Sequence, residues 1–168
     1  SLLMFFCATI FAQPVIHYSK PQKSVLTGRY IQYAKTDHAV TGYQQLLTDG
    51  HFKISSNEVP FFGVTDSTIW ARFILQNNTR ENTLSAWMQF TNISNIQFYV
   101  LSGNELKLLV DPDNERSAKF KEVTPPIKVD LQLKPGETKI YYVRIDTKHP
   151  LALALFVGSN VAINTFIS

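Results

Sequence analysis

Two aromatic–arginine pairs carry the clearest chemistry in this chain: Trp70 with Arg72, and Tyr142 with Arg144. Members of each pair are two residues apart, so in an extended segment they project from the same face. On an open face, Trp70 could stack on a sugar ring or other flat ligand while Arg72 binds a hydroxyl or carboxylate through its fork of N–H donors. The alternative is structural: Trp70 packs beneath a loop and Arg72 pairs with a nearby acid such as Asp66. Trp87 shares its face with Ser85 and Gln89, and a polar face around a tryptophan suggests the exposed aromatic of a binding surface. Core packing is the competing reading. Tyr99 and Tyr141 are further aromatics of the same sort.

Other chemistries find less support. Asp111, Asp113, Asn114 and Glu115 could offer oxygens to calcium, but the glycine and terminal glutamate spacing of an EF-hand loop are missing. His17, His38, His51 and His149 show no ligand spacing, so zinc is not expected and no histidine can be singled out as a pH sensor. No nucleophile elbow, phosphate loop or H-E-x-x-H helix occurs, and no cofactor is expected. Paired carboxylates could be assembled from any two strands, so the 13 Asp and Glu leave glycoside hydrolysis without positive support.

Lysines and arginines are scattered, and the densest cluster, Arg116, Lys119 and Lys121, is interrupted by Glu115 and Glu122. A formal charge of +3 then describes a solvated surface, and nucleic acid is not an expected partner. Residues 1–12 (SLLMFFCATIFA) are uncharged and almost wholly apolar. They read as the hydrophobic stretch and cleavage site of a secretory signal peptide, too short to span a bilayer; a buried N-terminal element is the alternative. Cys7, the only cysteine, lies in this stretch behind bulky Phe5 and Phe6, a poor setting for lipid attachment. A mature form without it would hold no disulfide, thiolate nucleophile or cysteine-bound metal.

The elements that must position these residues read as strands. With 45% hydrophobic, 12% aromatic and 17% charged residues, the 168-residue chain suits one folded domain with a core of its own. After a polar, extended lead-in over 13–28, short strand patterns fall at 30–34, 69–76, 84–90, 96–101, 105–110, 127–133, 138–146 and 151–157. Ser102-Gly103-Asn104 signals a hairpin. The cleanest alternation sets Ile127, Val129, Leu131 and Leu133 against Lys128, Asp130 and Gln132, one face for a core and one for water. The 134–137 turn (KPGE) then predicts a return along 138–146 as partner strand. A helix is expected at 41–49, capped by Asp37 or Thr41 and stopped by Gly50. Segment 54–68 reads as a long loop, and 159–168 as a tail. The fold class is an all-β sandwich of jelly-roll type, with one short helix near its N-terminus.

Residues 62–77 (FGVTDSTIWARFILQN) resemble the G-x-S-D-x-x-Y-W-L-R-F-x-L-x-N stretch of the type-two extracellular sensor domain of bacterial seven-transmembrane receptors with diverse intracellular signalling modules. Residues 133–145 (LKPGETKIYYVRI) are similar to that family's L-P-P-G-E-T-x-x-x-Y-L-R-V, and the apolar 151–157 fits its closing strand. Thr65, Ile69 and Ala71 depart from the usual Ser, Tyr and Leu; losing the aromatic before Trp70 could change a pocket wall. The resemblance covers roughly 29–158. It implies a periplasmic jelly-roll domain similar to carbohydrate-binding modules, followed in the whole receptor by seven membrane helices and an output module.

The expected function is therefore non-enzymatic ligand sensing, with Trp70, Arg72, Trp87, Tyr142 and Arg144 as candidate ligand-binding residues. The ligand would be a small molecule such as a carbohydrate. Expected partners are the receptor's own membrane helices, and a second copy or a partner receptor meeting a sheet face or edge. The rivals are a carbohydrate-binding module of a secreted enzyme and a small secreted hydrolase.

Overall fold

The alternating segment around Trp70 becomes β5 (Thr68–Asn77), the central strand of the larger of two stacked sheets. Its odd residues Ile69, Ala71, Phe73 and Leu75 are fully buried on the inner face. One edge of β5 pairs antiparallel with β11 (Thr138–Asp146). The other is shared end to end by β3 (Gln32–Thr36), antiparallel, and β1 (Val15–Tyr18), parallel. β4 (Lys53–Ile54) flanks β3. Beyond β11 lies β7 (Asn95–Ser102), whose far edge takes β8 (Glu105–Leu108) through the expected hairpin, and β9 (Lys119–Lys121). The computed structural model describes residues 13–88, 95–109, 119–121 and 127–167. The apolar 1–12 stretch read as a signal peptide, the acidic 111–115 segment and Gln89 lie outside these.

The smaller sheet is antiparallel throughout, in the order β10 (Ile127–Asp130), β6 (Ser85–Met88), β12 (Leu155–Gly158), β2 (Val25–Leu26). Its inward residues, among them Ala86, Met88, Ile127, Val129, Leu155 and Val157, meet Phe73, Phe98, Tyr141 and Val143 of the larger sheet in one core. Each large side chain so buried contributes about 1.5–3 kcal/mol of transfer free energy. Phe73 stacks on Tyr141 at 5.4 Å, and the Tyr141 hydroxyl donates to the Leu131 carbonyl at 2.7 Å. The all-β sandwich is thus the fold that the alternation predicts.

Four local readings are corrected. Segment 127–133 and segment 138–146 are not partners: β10 and β11 stand in opposite sheets. The turn is as expected, with the Glu137 N–H donating to the Lys134 carbonyl at 3.1 Å and Gly136 at φ 81, a conformation that suits glycine. But Gln132, at φ 51, bends the chain before the turn, so the reversal crosses the sandwich. Buried Asn77 secures the crossing, donating to the Leu133 and Glu81 carbonyls, each at 2.9 Å.

The lead-in is structural. β1 and β2 place one strand in each sheet, and the Tyr18 hydroxyl accepts from the Ser159 N–H at 3.0 Å. The expected N-terminal helix is present as α1 (Tyr43–Asp49), but its N-cap is Gly42. Asp37 instead accepts from the Ala39 N–H at 2.8 Å in the preceding turn, and Gln45 Oε1 accepts from the N–H groups of Thr41 and Gly42. Gly50 does stop the helix: a Cβ there would sit 2.5 Å from the Leu46 carbonyl oxygen. Finally, the segment read as a tail is helical over its described residues. Ser159 Oγ accepts from the Ala162 N–H at 3.1 Å and starts a second helix, α2 (Asn160–Ile167). No helix among the described residues is long and apolar enough to cross a membrane.

Candidate functional site

Strand register brings four of the five sequence-derived candidates together. Arg72 pairs across strands with Tyr142, and Trp70 with Arg144, so the four make one square of neighbours on the outer face of the larger sheet. Gln32 and Ala34 of β3 extend the square on one side, Tyr99 and Gln97 of β7 on the other. Of the two readings for Trp70, packing beneath a covering segment is the one observed. Residues 37–52, including α1, fold over it. Val40 and Leu46 are buried against fully buried Trp70 and Tyr142, with Tyr43 and Phe52 packed around them. Tyr99 lies tilted against Trp70 at 5.9 Å, while Tyr43 and Phe52 meet Tyr142 edge-on at 6.1 and 6.2 Å.

The anchorage of this cover is modest. Burial of Val40 and Leu46 contributes about 1.5–3 kcal/mol each. A seven-residue helix has little stability of its own, so this packing is what keeps α1 folded.

Arg72 does not pair with Asp66. Its Nε donates to Gln32 Oε1 at 2.8 Å, its Nη1 to the Tyr142 hydroxyl at 3.3 Å, and its guanidinium carbon lies 3.9 Å over the Phe52 ring. It thus braces strands and cover together. Burial raises the pKa of the Tyr142 phenol, opposed by the Arg72 hydrogen bond and charge; burial likewise raises that of Tyr99, opposed by Arg144. Both phenols are neutral hydrogen-bonding groups at ordinary pH.

Arg144 is less well satisfied. Nη2 donates to the His38 carbonyl at 2.8 Å, and Nη1 stands 3.8 Å from Asp146 Oδ2. Its Nε is buried with no acceptor among the described residues, and so is Trp70 Nε1. The guanidinium carbon lies 5.9 Å from the centre of the Trp70 ring.

Trp87 is elsewhere. It projects from the outer face of the smaller sheet and is 2% exposed, so of the two readings for Trp87 packing holds and the exposed aromatic does not. Phe166 of α2 packs edge-on at 4.7 Å and Phe156 lies tilted at 5.1 Å. The polar neighbour Ser85 bonds to Asn160 of the same helix at 3.2 Å.

At the end of the larger sheet the square continues into a cleft of about 230 Å³ lined by His38, Thr65, Asp66, Asn95, Asp146, Thr147 and Lys148. One wall is a fixed network. The buried Thr68 hydroxyl donates to Asp146 Oδ1 at 2.5 Å, which turns its oxygen to accept the His38 Nδ1–H at 2.8 Å. His38 Nδ1 also lies 3.1 Å from Asp146 Oδ1. The other ring nitrogen, Nε2, makes no hydrogen bond among the described residues. The arrangement is not a nucleophilic relay, since the hydroxyl gives its proton to the carboxylate and not to the histidine. Asp66 and Lys148 supply opposite charges at the rim without forming an ion pair with each other, and Asn95 adds a carboxamide. The set can hydrogen-bond both donors and acceptors of a small polar molecule. No group of three or more His, Cys, Asp or Glu suited to a metal occurs among the described residues.

Parity could have found part of this cleft. Thr68 is one strand step from Trp70 and Asp146 one step from Arg144, each on the same face. His38 and Lys148 stand in loops, where no periodicity marks them.

The family model described as 7TMR-DISM extracellular 2 matches residues 28–159. No curated protein matches the chain.

Proposed function

The chain belongs to the 7TMR-DISM extracellular 2 family, a sensor domain of seven-transmembrane receptors, and from that premise we propose that the cleft beside His38 and Asp146 is where it senses a small polar molecule. Such a domain stands outside the cytoplasm, in the periplasm of a bacterium, and is tethered to the membrane in the full-length receptor.

The observation that carries the proposal is the pairing of a fixed wall with uncommitted groups. Thr68, His38 and Asp146 hold one another in place, so their orientation costs little on binding, while Asp66, Asn95 and Lys148 face the same space. A hydroxyl-rich molecule such as a carbohydrate, or a small zwitterion, matches this mixture of donors and acceptors. Signalling would follow by population shift: the ligand prefers one arrangement of the cleft loops and biases whatever they are joined to. Asp146, Thr147 and Lys148 begin the segment that runs through β12 into α2, which gives that bias a covalent route to the membrane helices of the receptor.

The test is thermal-shift screening of the chain against monosaccharides, amino acids and small carboxylates, repeated with Asp66→Asn and Asn95→Ala. The proposal expects at least one compound to raise the melting temperature and both substitutions to reduce the rise. A rise that neither substitution changes would place the ligand elsewhere.

A further inference from the structure

Three buried N–H donors lack an acceptor among the described residues: Trp87 Nε1 under α2, and Trp70 Nε1 and Arg144 Nε, which alone of the three are cross-strand neighbours. Buried donors ordinarily find one. The latter two lie on the face covered by 37–52, and Arg144 is tied directly to the cleft through the His38 carbonyl and Asp146. The local shortage is one-sided. Arg144 brings a positive charge and up to five donors, and its one ion-pair partner among the described residues, Asp146, stands 3.8 Å away through Oδ2 while its Oδ1 accepts from Thr68. What complements such a corner is an oxygen bearing negative charge, held by the fork of a guanidinium and by an indole N–H.

We propose that the ligand of the cleft carries a carboxylate, received by Arg144 and the Trp70 indole N–H when the 37–52 cover lifts; this rests on the cleft being the sensing site. The bond that must yield is the one from Arg144 Nη2 to the His38 carbonyl, at the hinge end of the cover. Recognition of the carboxylate then requires the cover to move, which gives the sensor two states that a ligand can distinguish.

The chain has two tryptophans, so a nitrogen-15 spectrum shows two indole signals, each a direct report of its N–H. They are assigned through Trp87→Phe or, if that variant does not fold, by triple-resonance correlations. The probes are matched pairs: galacturonate with galactose, and succinate with succinamide, each at millimolar concentration. The expected result is a saturable downfield shift of the Trp70 indole proton with galacturonate and succinate, no such shift with the neutral partners, and a stationary Trp87 signal. Arg144→Lys keeps the charge but removes Nε–H and the fork, and should weaken the carboxylate probes by about ten- to hundredfold.

A Trp70 signal indifferent to both carboxylates overturns the proposal, and so does equal affinity for charged and neutral partners. If neutral probes still move the amides of Asn95 and Lys148, the cleft survives as a sensing site and the carboxylate assignment alone fails. If the Trp70 signal moves while those amides do not, the carboxylate corner stands and the cleft reading fails.

Discussion

If the 37–52 cover is a separately opening unit, replacing Leu46 with alanine should expose that independence. Leu46 is 1% exposed and, with Val40, anchors the cover on Trp70 and Tyr142. The two side chains together supply about 3–6 kcal/mol of burial. Ordering the segment consumes part of this, so opening should cost only a few kcal/mol. Leu46→Ala removes three carbons from a site that a short helix can partly close, a loss near the low end of the usual range, about 2 kcal/mol. The assay is native-state hydrogen exchange at three amides. Leu46 and Gly50 donate within the cover, to the Gly42 and Leu46 carbonyls, and Val143 of β11 reports on the core. In the unsubstituted protein, Leu46 and Gly50 should exchange through an opening several kcal/mol cheaper than that of Val143. Leu46→Ala should speed their exchange by about thirtyfold. The loss at Val143 should never exceed the original opening free energy of the cover. Equal protection at all three amides before substitution would refute the reasoning, since the cover would then open only when the whole domain unfolds.

Asn77→Ala should destabilise the domain by about 2–4 kcal/mol, read as a lower urea midpoint at unchanged slope, because the Leu133 and Glu81 carbonyls lose their buried donor. Burial drives the Tyr141 phenol far above its usual value of 10.0, helped by the charges of Glu137 and Asp130. The folded state therefore keeps a proton that the unfolded chain releases. Tyr141's contribution is complete below about pH 10 and fades as pH rises beyond it, by up to about 1.4 kcal/mol per pH unit. Thermal melts across pH 8–12 should show this fall, and Tyr141→Phe should flatten it while costing about 1 kcal/mol at neutral pH for the lost bond to the Leu131 carbonyl. Phe166→Ala should uncover Trp87 and shift its fluorescence to the red, with a stability loss of about 0.5–1.5 kcal/mol for the broken aromatic pair.

What the sequence reveals here follows from what periodicity can encode. Alternation at Ile69–Leu75 and Ile127–Leu133 marks side chains as inward or outward, and every inward residue of both runs is buried. The same parity puts Trp70, Arg72, Tyr142 and Arg144 on common faces, and the register of β5 with β11 makes them neighbours. Parity says nothing about what lies over a face. Trp70 and Trp87 look outward in the pattern and are covered by distant segments, α1 and α2, whose docking is a tertiary event. Nor does a turn signal say which sheet the chain enters next. The sequence Lys134–Glu137 announces a reversal, but the bend at Gln132 that sends it across the sandwich belongs to the context of Asn77 and Thr83. The start of α2 was legible in principle: Ser159 is a good helix cap, and the uncharged residues after it suit a helix lying on an aromatic face.

Mapping amide shifts of the nitrogen-15-labelled chain with whichever compound raises its melting temperature tests the sensing site most directly. Changes concentrated at His38, Thr65, Asp66, Asn95 and 146–148 are the predicted outcome. Changes concentrated instead around Trp87, Phe156 and α2, on the opposite side of the sandwich, would contradict it.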